Sequence, residues 1–152
     1  MSGYYIDYAP LTPQVSFTQY QKRAGGKHID SCEYAKRREI FNETKYNPSF
    51  RTWRNEQLKC QSYKCAWCNK PINARGIHVD HVQPVYYFGE NRAYNLVLAC
   101  KECNEKKRAA RHGWNGMHSH TTRNNKPSWV EPNCFDPELD QAFAETEKQL
   151  IA

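Results

Sequence analysis

The sequence predicts an α+β fold in which a ββα core is stapled by four cysteines and flanked by helices at both ends. Three observations carry this. Two Cys-x-x-Cys pairs, Cys65/Cys68 and Cys100/Cys103, bracket 31 residues, more than an ordinary ribbon contains, so the insert must fold as something of its own. Within that insert two short apolar runs flank a loop, and the pattern then changes to helix-forming residues. On either side lie stretches with helix start signals and apolar residues at helical spacing.

In chain order, residues 1–27 hold Pro10, Pro13 and the Gly25-Gly26 pair and read as an extended arm whose tyrosines pack on the domain. Asp30 followed by Glu33 resembles a capping box and opens a helix running through Phe41. Its Lys36-Arg37-Arg38 cluster faces solvent or phosphate. Pro48-Ser49 starts a second helix with Phe50, Trp53 and Leu58 near one face and Arg51, Arg54 and Lys59 elsewhere. Trp53 is read as core. Ile77–Val82 alternates as a strand, with Ile77, Val79 and His81 on one side and His78, Asp80 and Val82 on the other. Pro84 ends it, Gly89-Glu90-Asn91 marks a loop, and Leu96–Ala99 is the second strand of a hairpin-like pair. From Lys101 the chain is helical, with Gly113 as the stop. Residues 114–134 read as loop, and Asp136-Pro137 caps a final helix with Leu139, Phe143 and Leu150 at helical spacing. The expected organisation is one domain with three parts: arm and helices to residue 60, the stapled core over 61–113, and loop plus helix over 114–152.

A chain of 152 residues buries a modest core and gains from a staple. No apolar run is long enough to span a bilayer, and the N-terminus lacks a secretory pattern. The paired spacing of four of the seven cysteines suits one tetrahedral zinc rather than a disulfide ladder and points to a reducing cytosol. Cys32, Cys60 and Cys134 are read as buried or half-buried free thiols. The net charge of +6 is uneven: residues 1–60 hold ten Lys/Arg against six Asp/Glu, residues 61–112 nine against four, and residues 113–152 three against six. A basic body suits a polyanion such as nucleic acid.

Phosphodiester hydrolysis needs a base for water, a cation to stabilise charge on phosphate and leaving oxygen, and a scaffold for both. His81 supplies an imidazole that is neutral near pH 7. Asp80 offers a carboxylate oxygen to a divalent cation, and Asn104, one turn beyond Cys100, offers an amide oxygen from the opposite wall. Strand neighbours point to opposite faces, so Asp80 and His81 address metal and water without competing. Asn95, just before the second strand, can hydrogen-bond the loop after His81 and fix the imidazole. His78 shares the face of Asp80 and is read as a hydrogen-bonding partner rather than a metal ligand. His118 and His120 are read as surface residues.

The run from Cys65 to Lys107, with its CAWC, HVDHVQP, YNLVLACKECN and KK elements, resembles the HNH endonuclease family, in particular the zinc-containing branch of the ββα-metal nucleases. The resemblance implies His81 as general base, Asp80 and Asn104 as ligands of a catalytic divalent ion, Asn95 as the structural middle residue, and Cys65, Cys68, Cys100 and Cys103 around a zinc outside the chemistry. It implies cleavage of DNA to 5′-phosphate and 3′-hydroxyl ends. Asp80 and Asn104 stand where other members carry histidines, and these oxygen donors favour Mg or Mn. Arg108 stands where some relatives carry a further histidine ligand. Lys106, Lys107, Arg108 and Arg111 lie on or beside the helix that this fold sets against the DNA backbone, with Arg92 and Lys101 as weaker phosphate contacts. Double-stranded DNA is the expected partner, a homodimer would permit symmetric double-strand cleavage, and the expected location is the cytoplasm of a bacterial or phage-infected cell. The rival readings are a non-catalytic zinc module that binds nucleic acid, and a nuclease acting on RNA.

Overall fold

In the computed structural model, which describes residues 27–73, 75–110 and 136–151, the order is helix, helix, strand, strand, helix, helix. No helix among these residues is long and apolar enough to cross a membrane. The predicted arm over 1–27 falls almost wholly outside the described residues, as do Gly113, His118, His120 and Cys134.

Helix α1 (Ser31–Thr44) begins at Asp30, whose side chain accepts the Glu33 N–H at 2.9 Å. The expected capping box is only half made, because the Glu33 carboxylate pairs with Arg37 one turn on, at 3.3 Å. The helix also outruns its predicted end at Phe41. Thr44 prolongs it by donating to the Ile40 carbonyl, at 2.7 Å. Helix α2 (Pro48–Cys60) opens on the Asn47 cap and Pro48, a residue that loses no hydrogen bond there. Phe50, Trp53, Gln57 and Leu58 are buried, as the spacing predicts with Gln57 added.

Strands β1 (His78–His81) and β2 (Leu96–Ala99) pair antiparallel, Asp80 opposite Val97 and His81 opposite Leu96. β1 is shorter at both ends than predicted, and its burial does not alternate: His78 and Val79 are half-buried, Asp80 and His81 buried. At the His81 end both faces are covered, Trp67 meeting Asp80 and Phe41 meeting His81. The outward backbone of β2 is not wasted. Leu98 N–H donates to Gln61 Oε1, and Leu98 C=O accepts from Gln61 Nε2 and from Ala66 N–H, at 2.8, 2.8 and 2.9 Å. A buried amide side chain thus acts as a third strand and docks the first cysteine knuckle on the sheet.

The loop between the strands carries two short 3₁₀ turns, Val85–Tyr87 and Ala93–Asn95. Gly89 is required there, because a Cβ would lie 1.8 Å from the Gln83 carbonyl oxygen. Helix α3 (Lys101–Ala110) follows β2 directly. Helix α4 (Pro137–Ile151) starts at Asp136, whose carboxylate accepts the Leu139 N–H at 3.0 Å.

One core joins these pieces. Phe41, Phe50, Trp53, Trp67, Leu96, Leu98, Leu139 and Phe143 belong to a single buried cluster. Phe143 stacks on Phe41 with centroids 6.2 Å apart, and Asp140 accepts the Ala93 N–H at 2.8 Å, so α4 holds both α1 and the turn leading into β2. Leu150 does not join this core as its spacing suggested. Residues 147–150 are all exposed, so contact with the body ends near Thr146, whose hydroxyl oxygen lies 2.8 Å from that of Thr44. Cys32 is likewise exposed rather than buried, since it sits on the first turn of α1; Cys60 is half-buried.

Candidate active site

Cys65 and Cys68 sit in the turn after α2, and Cys100 and Cys103 span the β2–α3 junction. Their four sulfurs lie within 4.8 Å of one another. Cys68 Sγ and Cys100 Sγ are 3.8 Å apart, the separation that zinc–sulfur bonds of about 2.3 Å give at a tetrahedral centre. Backbone amides point at the sulfurs: Trp67 N–H and Cys100 N–H at Cys65, at 3.4 and 3.3 Å, and Cys103 N–H at Cys100, at 3.4 Å. The Cys65 thiol is brought down to about 5, chiefly by the hydrogen bond from Cys103 and then by backbone amides, against the effect of burial. Burial lifts Cys68 to about 11. Cys103 is pushed up by its hydrogen bond to Cys65 and by burial. Thiolates gathered this closely repel one another, and ionising all four takes a cation in their midst. The donor set therefore fits zinc.

The staple places α3 against β1. Asn104, whose N–H bonds to Cys100 C=O, lies half-buried with Nδ2 3.3 Å from His78 Nδ1. Asp80, 8% exposed, is gripped through Oδ2 by the indole N–H of fully buried Trp67 at 2.8 Å. His78, Asp80, His81 and Asn104 all line one groove of about 1340 Å³. The oxygens of Asp80 and Asn104 are the hard donors that suit Mg or Mn.

His81 is 6% exposed and packs on Phe41, with ring centroids 4.6 Å apart. Its Nε2 lies 2.8 Å from Asn91 Oδ1. Asn91 Nδ2 donates to the Arg37 carbonyl of α1 at 3.0 Å, which sets the amide so that its oxygen faces the imidazole. Nε2 therefore carries the proton, and Nδ1 is the basic nitrogen. Asn95 does what its position promised: Oδ1 accepts from Gln83 N–H at 2.8 Å, while Nδ2 donates to the carbonyls of Gln83 and Glu90 at 3.1 and 3.0 Å. It ties both ends of the loop that follows His81, whereas Asn91 touches the imidazole itself. Sequence reading missed Asn91, which looked like a turn residue in Gly89-Glu90-Asn91, and Trp67, hidden between two cysteines.

Of the expected phosphate contacts, Arg92 bends back to its neighbour's carbonyl, Asn91 O, at 2.9 Å and does not line the groove. Lys101 is exposed and pairs with Glu105 at 3.9 Å. The α3 backbone carries Lys106, Lys107 and Arg108, their side chains and all of Arg111 lying outside the described residues.

Residues 65–110 match the family model for HNH endonucleases, so the domain expected from the resemblance is present in the chain. The CRISPR-associated endonuclease Cas9 of Corynebacterium diphtheriae is 36% identical over 56 residues, which are 36% of this chain and 5% of that protein. The chain thus spans about one twentieth of the length of that curated relative. No solved structure matches the chain.

Proposed function

We propose that the protein is a divalent-metal-dependent endonuclease that hydrolyses DNA phosphodiester bonds to 5′-phosphate and 3′-hydroxyl ends. The observation that carries this reading is that His81, its imidazole held at Nε2, lines the same groove as the oxygen-bearing side chains of Asp80 and Asn104. Binding nucleic acid alone requires no such arrangement. The placement of these residues inside a segment of the HNH endonuclease family adds to it.

Asp80 and Asn104 would hold the divalent ion, which when bound neutralises charge on the scissile phosphate and the 3′ leaving oxygen. His81 Nδ1 takes the proton of the attacking water while Asn91 Oδ1 stabilises the imidazolium through the Nε2 proton. Phe41 closes one face of the ring and excludes competing water. Trp67 fixes the Asp80 carboxylate by a charge-assisted hydrogen bond, and Asn95 keeps the His81 loop from shifting. Zinc held by Cys65, Cys68, Cys100 and Cys103 has a structural part, positioning Asn104.

Incubation with supercoiled plasmid and Mg or Mn tests the proposal. The wild type converts plasmid to nicked or linear forms, and His81→Ala loses this by at least about a hundredfold with zinc content unchanged. Turnover retained in His81→Ala, or undiminished when Mg and Mn are omitted, rejects the assignment. Parallel reactions on RNA decide between the two polymers.

A further inference from the structure

The groove that holds His81 is built only in part by the stapled core. Its remaining lining comes from the first two helices, which bring Arg38, Lys45, Arg51 and Arg54 into it. The lining contains two carboxylates, Asp80 and Asp30, and Asp30 is engaged in capping α1. Outside the groove four cations pair, Arg37 with Glu33, Lys59 with Glu56, Lys70 with Glu102 and Lys101 with Glu105, whereas Lys36, Lys64 and Arg75 form no ion pair among the described residues. None of the four groove cations has an ion-pair partner among the described residues.

Arg38 and Arg54 are half-buried, and Lys45 and Arg51 are exposed at the rim. The Arg38 guanidinium stands 5.2 Å from the centroid of Phe41 and the Lys45 ammonium 4.9 Å from it, two cations gathered on the ring that packs against His81. Lys45 is held below its ordinary value by burial first and by the charge of Arg38 second. Arg54 Nε is buried with no hydrogen-bond partner, and a buried donor left unmade calls for an explanation. Arg51 and Arg54 stand three residues apart, on neighbouring positions of one helix face. Crowded, unneutralised cations with an unsatisfied donor raise the energy of the isolated protein and lower it when a polyanion arrives.

We infer that α1 and α2 form a phosphate-binding wall, in which Arg38, Lys45, Arg51 and Arg54 hold backbone phosphates of a nucleic acid next to the one presented to His81. The phrase "presented to His81" rests on the proposed nuclease reading, but the wall itself is tested by binding alone. The experiment is fluorescence anisotropy of zinc-loaded protein, without Mg or Mn, on a DNA duplex and on an RNA hairpin over a range of salt. Each phosphate contact on duplex DNA adds about 0.9 to the slope of log affinity against log salt. The Arg38→Gln/Lys45→Gln/Arg51→Gln/Arg54→Gln variant is expected to bind at least about tenfold more weakly at low salt and to lose about three and a half units of slope. Circular dichroism and zinc content verify its fold. If that variant fails to fold, Arg51→Gln/Arg54→Gln is expected to lose about two units. Wild-type affinity and slope in a folded variant, on both polymers, overturn the inference, and the polymer that responds identifies the source of the phosphates. A wild type that binds through this wall yet cuts no plasmid overturns the nuclease reading alone.

Discussion

The imidazole of His81 is oriented by a hydrogen bond that the stapled core supplies and an N-terminal helix sets. Asn91 Oδ1 faces Nε2 because Asn91 Nδ2 is taken by the Arg37 carbonyl. Replacing Asn91 with Leu leaves the Nε2 proton without an acceptor in a buried place and frees the ring to rotate or change tautomer. A misplacement of this kind costs about a hundredfold in turnover, and the expected result is a fall in kcat with KM little changed. Asn91→Asp gives a sharper readout. A carboxylate against Nε2 favours the imidazolium and raises the pKa of His81; the base works only when neutral, so the acidic limb of the pH–rate profile moves to higher pH. Loss of rate in Asn91→Asp with an unmoved limb rejects the positioning role. The sequence singles out His81, Asp80 and Asn104 by their chemistry, and the structure brings the three to the lining of one groove. Asn91 was not legible there, because its role depends on the approach of Arg37, 54 residues away, and a loop Asn carries no local mark of such a contact.

Among the elements, α3 depends most on something outside itself. A ten-residue helix is marginal in water by itself, and the staple at its first turn anchors Cys103, the residue immediately before Asn104. Cys100→Ser is expected to lose zinc, release α3 from β1 and abolish cleavage, with the loss of metal measured directly and the loss of helix by circular dichroism. A stable, active, zinc-free Cys100→Ser protein rejects the structural role. Acid acts on the same place. The Cys65 thiolate, depressed from an ordinary thiol value of 9.0 to about 5, contributes stability that is complete above the ordinary value and lost as pH falls through about 5. Acid also competes with a metal for the same sulfurs, because thiolate ligands bind it only when deprotonated, so the metal should stay bound at neutral pH and appear on a chromogenic chelator as the pH is lowered. The cysteine pairs and the β2 limits could be read from the chain because local spacing alone sets them. The ends of β1 could not, since burial of both its faces comes from Trp67 and Phe41, which lie outside the strand's own period.

At the scale of the whole molecule, stability and the site share one run of ring contacts. Phe143 of α4 stacks on Phe41 of α1, and Phe41 meets His81 at a tilt. The helical spacing of Leu139 and Phe143 revealed a face to be buried without revealing its partner, because a contact between residues 41 and 143 leaves no trace in either segment alone. The consequence is a mutation far in sequence from the chemistry that reaches it through packing. Phe143 is 1% exposed, and Phe143→Ala is expected to cost about 3–5 kcal/mol in denaturant unfolding. At low temperature, where the variant is still folded, its kcat should also fall, because Phe41 loses its backing and the His81 ring its wall. Leu150→Ala supplies the comparison on the same helix: Leu150 is 39% exposed, and its truncation should change stability by no more than about 0.5 kcal/mol and leave turnover alone. Equal effects of the two substitutions would show that α4 acts only through its helicity. A loss of stability at Phe143 with unchanged kcat would instead separate the core from the site and break the chain of contacts from α4 to His81.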